Sequence, residues 1–288
     1  MNIVKRFLPA SLRDEGPVVP VVRLQGTIAA GGARFSPSLS LASTADVLER
    51  AFASKKAPAV AISVNSPGGS PVQSRLIYKR IRDLAEEKNK LVIMFVEDVA
   101  ASGGYMIAVA GDEIVADPSS IVGSIGVISA GFGFTELIKK IGVDRRVYTA
   151  GANKSVLDPF QPEKKEDIAR LKALQLDVHE TFIELVKERR AGKLADNPDL
   201  FTGQFWTGKA GRELGLVDDL GDMRSFLKQR YGEKTRLRLI SPPRGFFGRR
   251  LGLFGSGGDD MPAQAAAGLV KGIAEEVEER ALWARFGL

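Results

Sequence analysis

The residues able to do chemistry gather in three glycine-bearing turns, each placed after a strand-like apolar run. SPGGSP, Ser66 to Pro71, follows AVAISVN; DVAASGGY, Asp98 to Tyr105, follows LVIMFVE; IVGSIGV, Ile121 to Val127, follows EIVADPSS. Turns beyond the carboxyl ends of strands are where α/β folds collect ligand groups, although any single glycine also serves as an ordinary tight turn. In the first turn Pro67 fixes one dihedral, while Gly68 and Gly69 permit positive φ. Backbone N–H groups can then point outward beside the positive end of a following helix. Such a turn can hold a phosphate or an oxyanion. No G-K-[ST] follows and no G-x-G-x-x-G fingerprint is present, so an oxyanion hole is the better reading. In the second turn Ser102 lies between Ala101 and Gly103, small neighbours that leave room for a carbonyl, in a run resembling a degraded G-x-S-x-G elbow. The plainer alternative is that Ser102 caps a helix.

A nucleophilic serine needs a base. The chain of 288 residues has no cysteine and one histidine, which removes thiol nucleophiles, disulfides and most metal sites, so no metal or cofactor is expected. His179 falls in the middle of a long amphipathic segment, and H-E-T-F-I fails the H-E-x-x-H pattern, so it reads as a structural or surface residue. Lysine is what is left, and serine-lysine pairs are a variant of triad logic. A lysine works only where desolvation pulls its pKa down from about 10.4 towards neutrality. Lys154, in the small-residue loop TAGANKSVLDPF, is a candidate that composition alone does not separate from the other lysines.

The elements that must position these groups alternate between β-branched runs and amphipathic segments, an α/β signature. Strands are expected at 18–24, 59–65, 91–97, 113–117, 125–129 and 145–150, apolar enough to be covered on both faces. Helices are expected in TADVLERAFA, capped by Ser43 or Thr44, in 71–88 beginning at Pro71, and from about Pro162 to Arg190. The organisation read from this is an N-terminal segment 1–16, a catalytic domain 17–241, a proline- and glycine-rich linker 242–262 and an amphipathic helix 263–288. In that helix Ala266, Val270, Ile273, Val277, Ala281 and Ala284 form the stripe expected to dock on the protein or on a neighbouring subunit. Charge is +6, from 41 basic and 35 acidic residues, but it is scattered, so no nucleic-acid partner is expected. Arg249 and Arg250, among Phe246, Phe247, Leu251, Leu253 and Phe254, keep a peripheral membrane contact open. No window reaches about 18 uncharged apolar residues, and the first residues are too broken for a signal-peptide core.

Taken in order, SPGG at Ser66 to Gly69, DVAASGGY, GSIGV at Gly123 to Val127, the NKSVLDPF loop at Asn153 to Phe160 and WTGKAGRELGLVDDLG at Trp206 to Gly221 resemble the signal peptide peptidase A (protease IV) family of serine-lysine peptidases. The likeness covers about Val18 to Asp222. It implies a ClpP/crotonase-like spiral of parallel βαβ units, followed here by the C-terminal helical extension. It also implies Ser102 as nucleophile, Lys154 as general base, Ser124 orienting the lysine, and the N–H groups of Gly69 and Gly103 as oxyanion hole. Extended apolar peptides as substrates and a homo-oligomeric ring or dome follow from the same resemblance. Glu97 before Asp98, and Met106 where a second aromatic is common, depart from the family beside the nucleophile and bear on subsite preference. The membrane anchor typical of the family is not seen, so a cytoplasmic or peripherally bound peptidase is expected. Two other readings are a crotonase-like acyl-CoA enzyme, which would leave Ser102 without a role, and a non-catalytic oligomeric scaffold that binds peptides.

Overall fold

The computed structural model describes residues 16–31, 38–151 and 153–241, together with Ala281 and Trp283, both helical. Its centre is a sheet in the order β6-β5-β3-β2-β1-β8, formed by β1 (Val18–Gln25), β2 (Ala59–Ser66), β3 (Leu91–Ala101), β5 (Ile121–Gly123), β6 (Phe205–Thr207) and β8 (Arg236–Leu239). On a branch from β3 lie β4 (Glu113–Ala116) and β7 (Asp219–Leu220). All pairings are parallel except β5 with β6. Parallel strands need crossovers, and the amphipathic segments between the strands supply them.

One face of the sheet packs under α1 (Leu41–Phe52), α2 (Pro71–Lys88), α3 (Gly103–Ala108) and α5 (Lys165–Arg189); the other packs under α7 (Met223–Tyr231). Helix α2 begins as its sequence demands: Ser70 accepts from the Gln73 amide and Pro71 fills the first turn. Its Ile77, Ile81, Leu84 and Ala85 face the core. Helix α1 starts earlier than expected because Ser40 and Ser43 form a reciprocal capping box, so Ser40 is the cap and not Ser43 or Thr44. The C-terminal end of α5 is tied down by Arg190, which is 2% exposed; it donates to Gly215 O and pairs with Asp218 at 2.6 Å.

Two expected strands are absent. After β5 the chain turns at Ser124, φ 53°, and neither 125–129 nor 145–150 pairs with a neighbour. From 126 to 166 no described residue is buried. This arm contains α4 (Thr135–Lys140) and is held by its own contacts: Phe134 against Phe160, Arg145 over the Phe160 ring, and Arg145 paired with Asp158 at 3.1 Å. Its apolar residues face outward, with Phe132 81% and Tyr148 90% exposed.

The linker and most of the helix 263–288 fall outside the described residues. Of the expected stripe only Ala281 can be placed, and it is exposed, whereas Trp283 is the side chain turned inward. Two residues apart on a helix point about 200° apart, so the docked side there is that of Trp283.

Candidate active site

Strand β3 aims the nucleophile turn by changing partners. It pairs with β4 through Ile93–Val96 and with β5 through Val99–Ala101, while against β2 the register jumps between Val64↔Val96 and Ser66↔Ala100. Asn65 closes the gap: its Oδ1 accepts from the Val99 amide at 3.2 Å and its Nδ2 donates to Asp98 at 2.5 Å. A bulge of this kind leaves ladder groups unpaired, and a side-chain amide satisfies both a donor and an acceptor. Asn65 was not among the expected residues, because a bulge depends on the register between two strands; the one local signal was a polar amide near the end of β2, whose other polar residues are Ser63 and Ser66.

Ser102 follows directly, at φ 51° and ψ −121°, outside the regions non-glycine residues favour and costing roughly 1–3 kcal/mol. The surroundings compel it, because Ser102 N–H donates to Gly123 O at 2.8 Å while α3 starts at the next residue. Ser102 occupies the N-cap position of α3, yet its side chain makes no capping hydrogen bond. Capping therefore does not account for this hydroxyl.

The SPGG turn comes up against it. Ile28 N–H donates to Gly68 O at 2.9 Å and Ser70 N–H donates to Ile28 O at 2.7 Å, pinning Gly68 and Gly69 at φ 109° and 138°. A methyl placed on Gly68 would lie 2.9 Å from both Gly103 N and Ser102 Cβ, and one on Gly103 would lie 3.4 Å from Gly69 N. The backbone amides of Gly69 and Gly103 thus lie close together beside Ser102, and neither N–H donates a hydrogen bond among the described residues. Gly103 N–H is one of the first-turn donors every helix leaves unpaired.

Ser124 is buried one residue past Gly123, its N–H donating to Gln204 O at 2.6 Å. Lys154 lies elsewhere, on the exposed arm, its backbone N–H donating to Gly151 O. The hydrogen bond from the Phe160 amide, followed by an opposing desolvation and then by the hydrogen bond and charge of Arg145, holds the neighbouring Asp158 carboxyl below its ordinary range. The ammonium of Lys154 has no hydrogen-bond or ion-pair partner among the described residues. His179 is used structurally, Nε2 lying 2.9 Å from Ile125 O. No group of three or more His, Cys, Asp or Glu among the described residues is arranged to hold a metal ion. On the α7 side of the sheet a cleft of about 730 Å³ opens between Phe95, Ile121, Met223 and Leu237, with Glu97, Asp117 and Asp222 at its polar rim. Glu97 is paired there with Arg23 at 2.8 Å.

Residues 84–234 match the profile of Peptidase family S49. The chain belongs to this family. A putative protease of Synechocystis is 34% identical to this S49 chain over 240 residues, covering 81% of it and 82% of the relative. Protease 4 of Haemophilus influenzae is 34% identical over 208 residues, 70% of this chain and 32% of that one. The whole chain is 67% identical to part of a protein of Brucella abortus named Na(+)/H(+) antiporter NhaA, spanning 39% of that relative's length. The mostly parallel α/β architecture is the ClpP/crotonase-like one that the resemblance implied.

Proposed function

We propose that this S49 chain is a serine endopeptidase that cuts extended apolar peptides with a Ser102 and Lys154 dyad. The observation that supports this reading is that the Gly69 and Gly103 amides, neither donating a hydrogen bond among the described residues, lie beside a strained serine whose hydroxyl caps nothing. Ser102 Oγ attacks the peptide carbonyl carbon and passes its proton to the neutral lysine amine. The two amides hold the negative charge that develops on the carbonyl oxygen. Collapse breaks the C–N bond, the lysine returns the proton to the leaving amine, and water hydrolyses the ester with the lysine again as base. Ser124, one residue from the carbonyl that fixes Ser102, accepts a hydrogen bond from the lysine and orients it.

A lysine base has to be taken out of water. Lys154 is exposed on an arm whose apolar residues are exposed too, which supports a homo-oligomeric ring or dome in which the arm of one copy lies against the Ser102 site of the next. A cytoplasmic or peripherally membrane-bound location accompanies this reading; separately, no helix among the described residues is long and apolar enough to cross a bilayer, and the similar Brucella protein is named for antiport.

The test uses Ser102→Ala and Lys154→Ala with a fluorogenic apolar peptide. Each variant alone is inactive. Unfolded together in equal amounts and reassembled, they regain about a quarter of wild-type activity, because in a head-to-tail assembly one junction in four joins an intact Ser102 to an intact Lys154. Turnover by either variant alone sinks the dyad; no recovery on mixing sinks the shared site.

A further inference from the structure

Ser102 sits at the crown of an arch whose legs are β3 and α3, and the feet of that arch are tied together. Val92, near the start of β3, and Asp112, just past α3, share two hydrogen bonds: Asp112 N–H donates to Val92 O at 2.8 Å, and Val92 N–H donates to Asp112 Oδ2 at 2.8 Å. Asp112 Oδ1 accepts in turn from Arg82 of α2 at 2.8 Å and from Arg189 of α5 at 3.5 Å. The same two guanidiniums take the carbonyls at the end of α3. Arg189 donates from Nε to Val109 O at 3.0 Å and from Nη2 to Gly111 O at 2.9 Å, while Arg82 Nη1 donates to Ala110 O at 3.1 Å. Three successive carbonyls, left open where the helix stops, each receive an arginine, and cations are favoured at that end of a helix. Both arginines come from other helices and are largely buried, with 17% and 21% of their side chains exposed.

We infer that Arg82, Arg189 and Asp112 are positioning residues for the nucleophile and the oxyanion site, acting through α3. This rests on the peptidase reading for what is positioned, but not for the tie itself. Helix α3 has six residues, all buried, so it is about 9 Å long and moves as one piece. Ser102 is its cap and Gly103 its first residue, so a shift at its far end reaches both. Reacting groups need placement to within about 0.5 Å, and an error of about 1 Å costs about 10²-fold in rate. A guanidinium presents its donors as a rigid fork, which lets Arg189 hold Val109 O and Gly111 O together as a single flexible ammonium does not.

The test reads rate and structure on full-length variants. Arg189→Ala lowers kcat on a fluorogenic apolar peptide about 10²-fold with KM within about twofold. Arg80→Ala removes the same charge from α2, where it pairs with Glu49, and keeps wild-type kcat. In Arg189→Lys the ammonium reaches one carbonyl, so stability to urea returns close to wild type while kcat stays about tenfold low; this variant carries the comparison if the alanine variant does not fold. A role in stability alone shifts the unfolding midpoint and spares the folded enzyme, so a kcat of folded Arg189→Ala within about twofold of wild type overturns the inference. Deuterium exchange read by mass spectrometry needs no turnover. Amides of 103–111 exchange at least about tenfold faster in Arg189→Ala and those of β2 do not change; unchanged exchange in 103–111 also overturns the inference. Faster exchange in a protein whose wild type cleaves no peptide leaves the tie standing and removes the peptidase reading. Cleavage by wild type, with kcat and exchange both unchanged in Arg189→Ala, does the reverse.

Discussion

Placing a methyl group on Gly68 tests the oxyanion site without replacing a reacting side chain. An alanine there puts Cβ 2.9 Å from Gly103 N, 2.9 Å from Ser102 Cβ and 3.0 Å from Ala101 O. These are backbone atoms, or the first atom of a side chain, so none can rotate away. The turn must move by several tenths of an ångström and carries the Gly69 amide with it. Loss of one oxyanion donor costs about 10²–10³ in kcat. The backbone itself adds a penalty, since Gly68 sits at φ 109°, and this costs roughly 1–3 kcal/mol of stability for a residue with a Cβ. Gly232→Ala separates the two effects: that glycine sits at φ 97° but has nothing within 4 Å of an added Cβ. The assay is kcat on a saturating fluorogenic apolar peptide, with urea unfolding on the same preparations. Gly232→Ala loses the backbone contribution alone, Gly68→Ala loses that and the cost of relieving its clash, and only Gly68→Ala loses about two to three orders of magnitude in kcat. Activity of Gly68→Ala within about tenfold of Gly232→Ala would refute the placement of the oxyanion at Gly69 and Gly103.

Asp218→Asn leaves Arg190 buried without its anionic partner and destabilises the fold by about 3–5 kcal/mol at pH 7, read by urea unfolding. Burial pushes the Asp218 carboxyl up, but the hydrogen bonds from Arg190 and Lys193 outweigh it and hold it below its ordinary range. Its contribution is therefore complete above the unfolded value of about 3.9 and fades as pH falls through the lower folded value. The stability gap between wild type and Asp218→Asn should close only below about pH 4; a gap already closed at pH 6 would contradict the assigned pair. Asn65→Ala removes the acceptor for the Val99 amide and the donor to Asp98, with an expected cost of about 1–3 kcal/mol in unfolding and a kcat about tenfold lower as β3 loses its bend. Unchanged kcat would show that the bulge does not aim Ser102.

Much of the fold was legible because local rules and tertiary demand agree. The apolar runs of β1 and β2 sit close to their expected bounds, β3 starts where expected but continues past Glu97 to Ala101, and Pro71 opens α2 where a missing N–H costs nothing. The misses share a physical cause. IGVIS at 125–129 has strand composition, but Ser124 turns out of line and Gly126 packs against Gly203, where an added Cβ would come within 2.9 Å of its Cα. RRVYTA at 145–150 is β-branched and aromatic enough for a strand, yet no neighbour among the described residues offers it a ladder. A strand is a property of a pair, and composition describes one partner only. The Ser40 cap escaped notice because its third residue is Ser43 instead of the usual glutamate or glutamine.

By itself the sequence determined the kind of chemistry open to this chain. Without cysteine, and with its one histidine in the middle of a helix, the chain pointed to lysine as the expected base for a nucleophilic Ser102, and its glycine turns were expected after strands. Residue types and spacing are written in the chain, so they can be read there. Only the tertiary structure decided that the backbone amides of Gly69 and Gly103, far apart in sequence, come together beside Ser102, and that Asn65 bridges the bulge of β3 that leads to it. Those facts depend on which elements meet across the sheet, and packing between distant segments leaves no periodic mark on either of them.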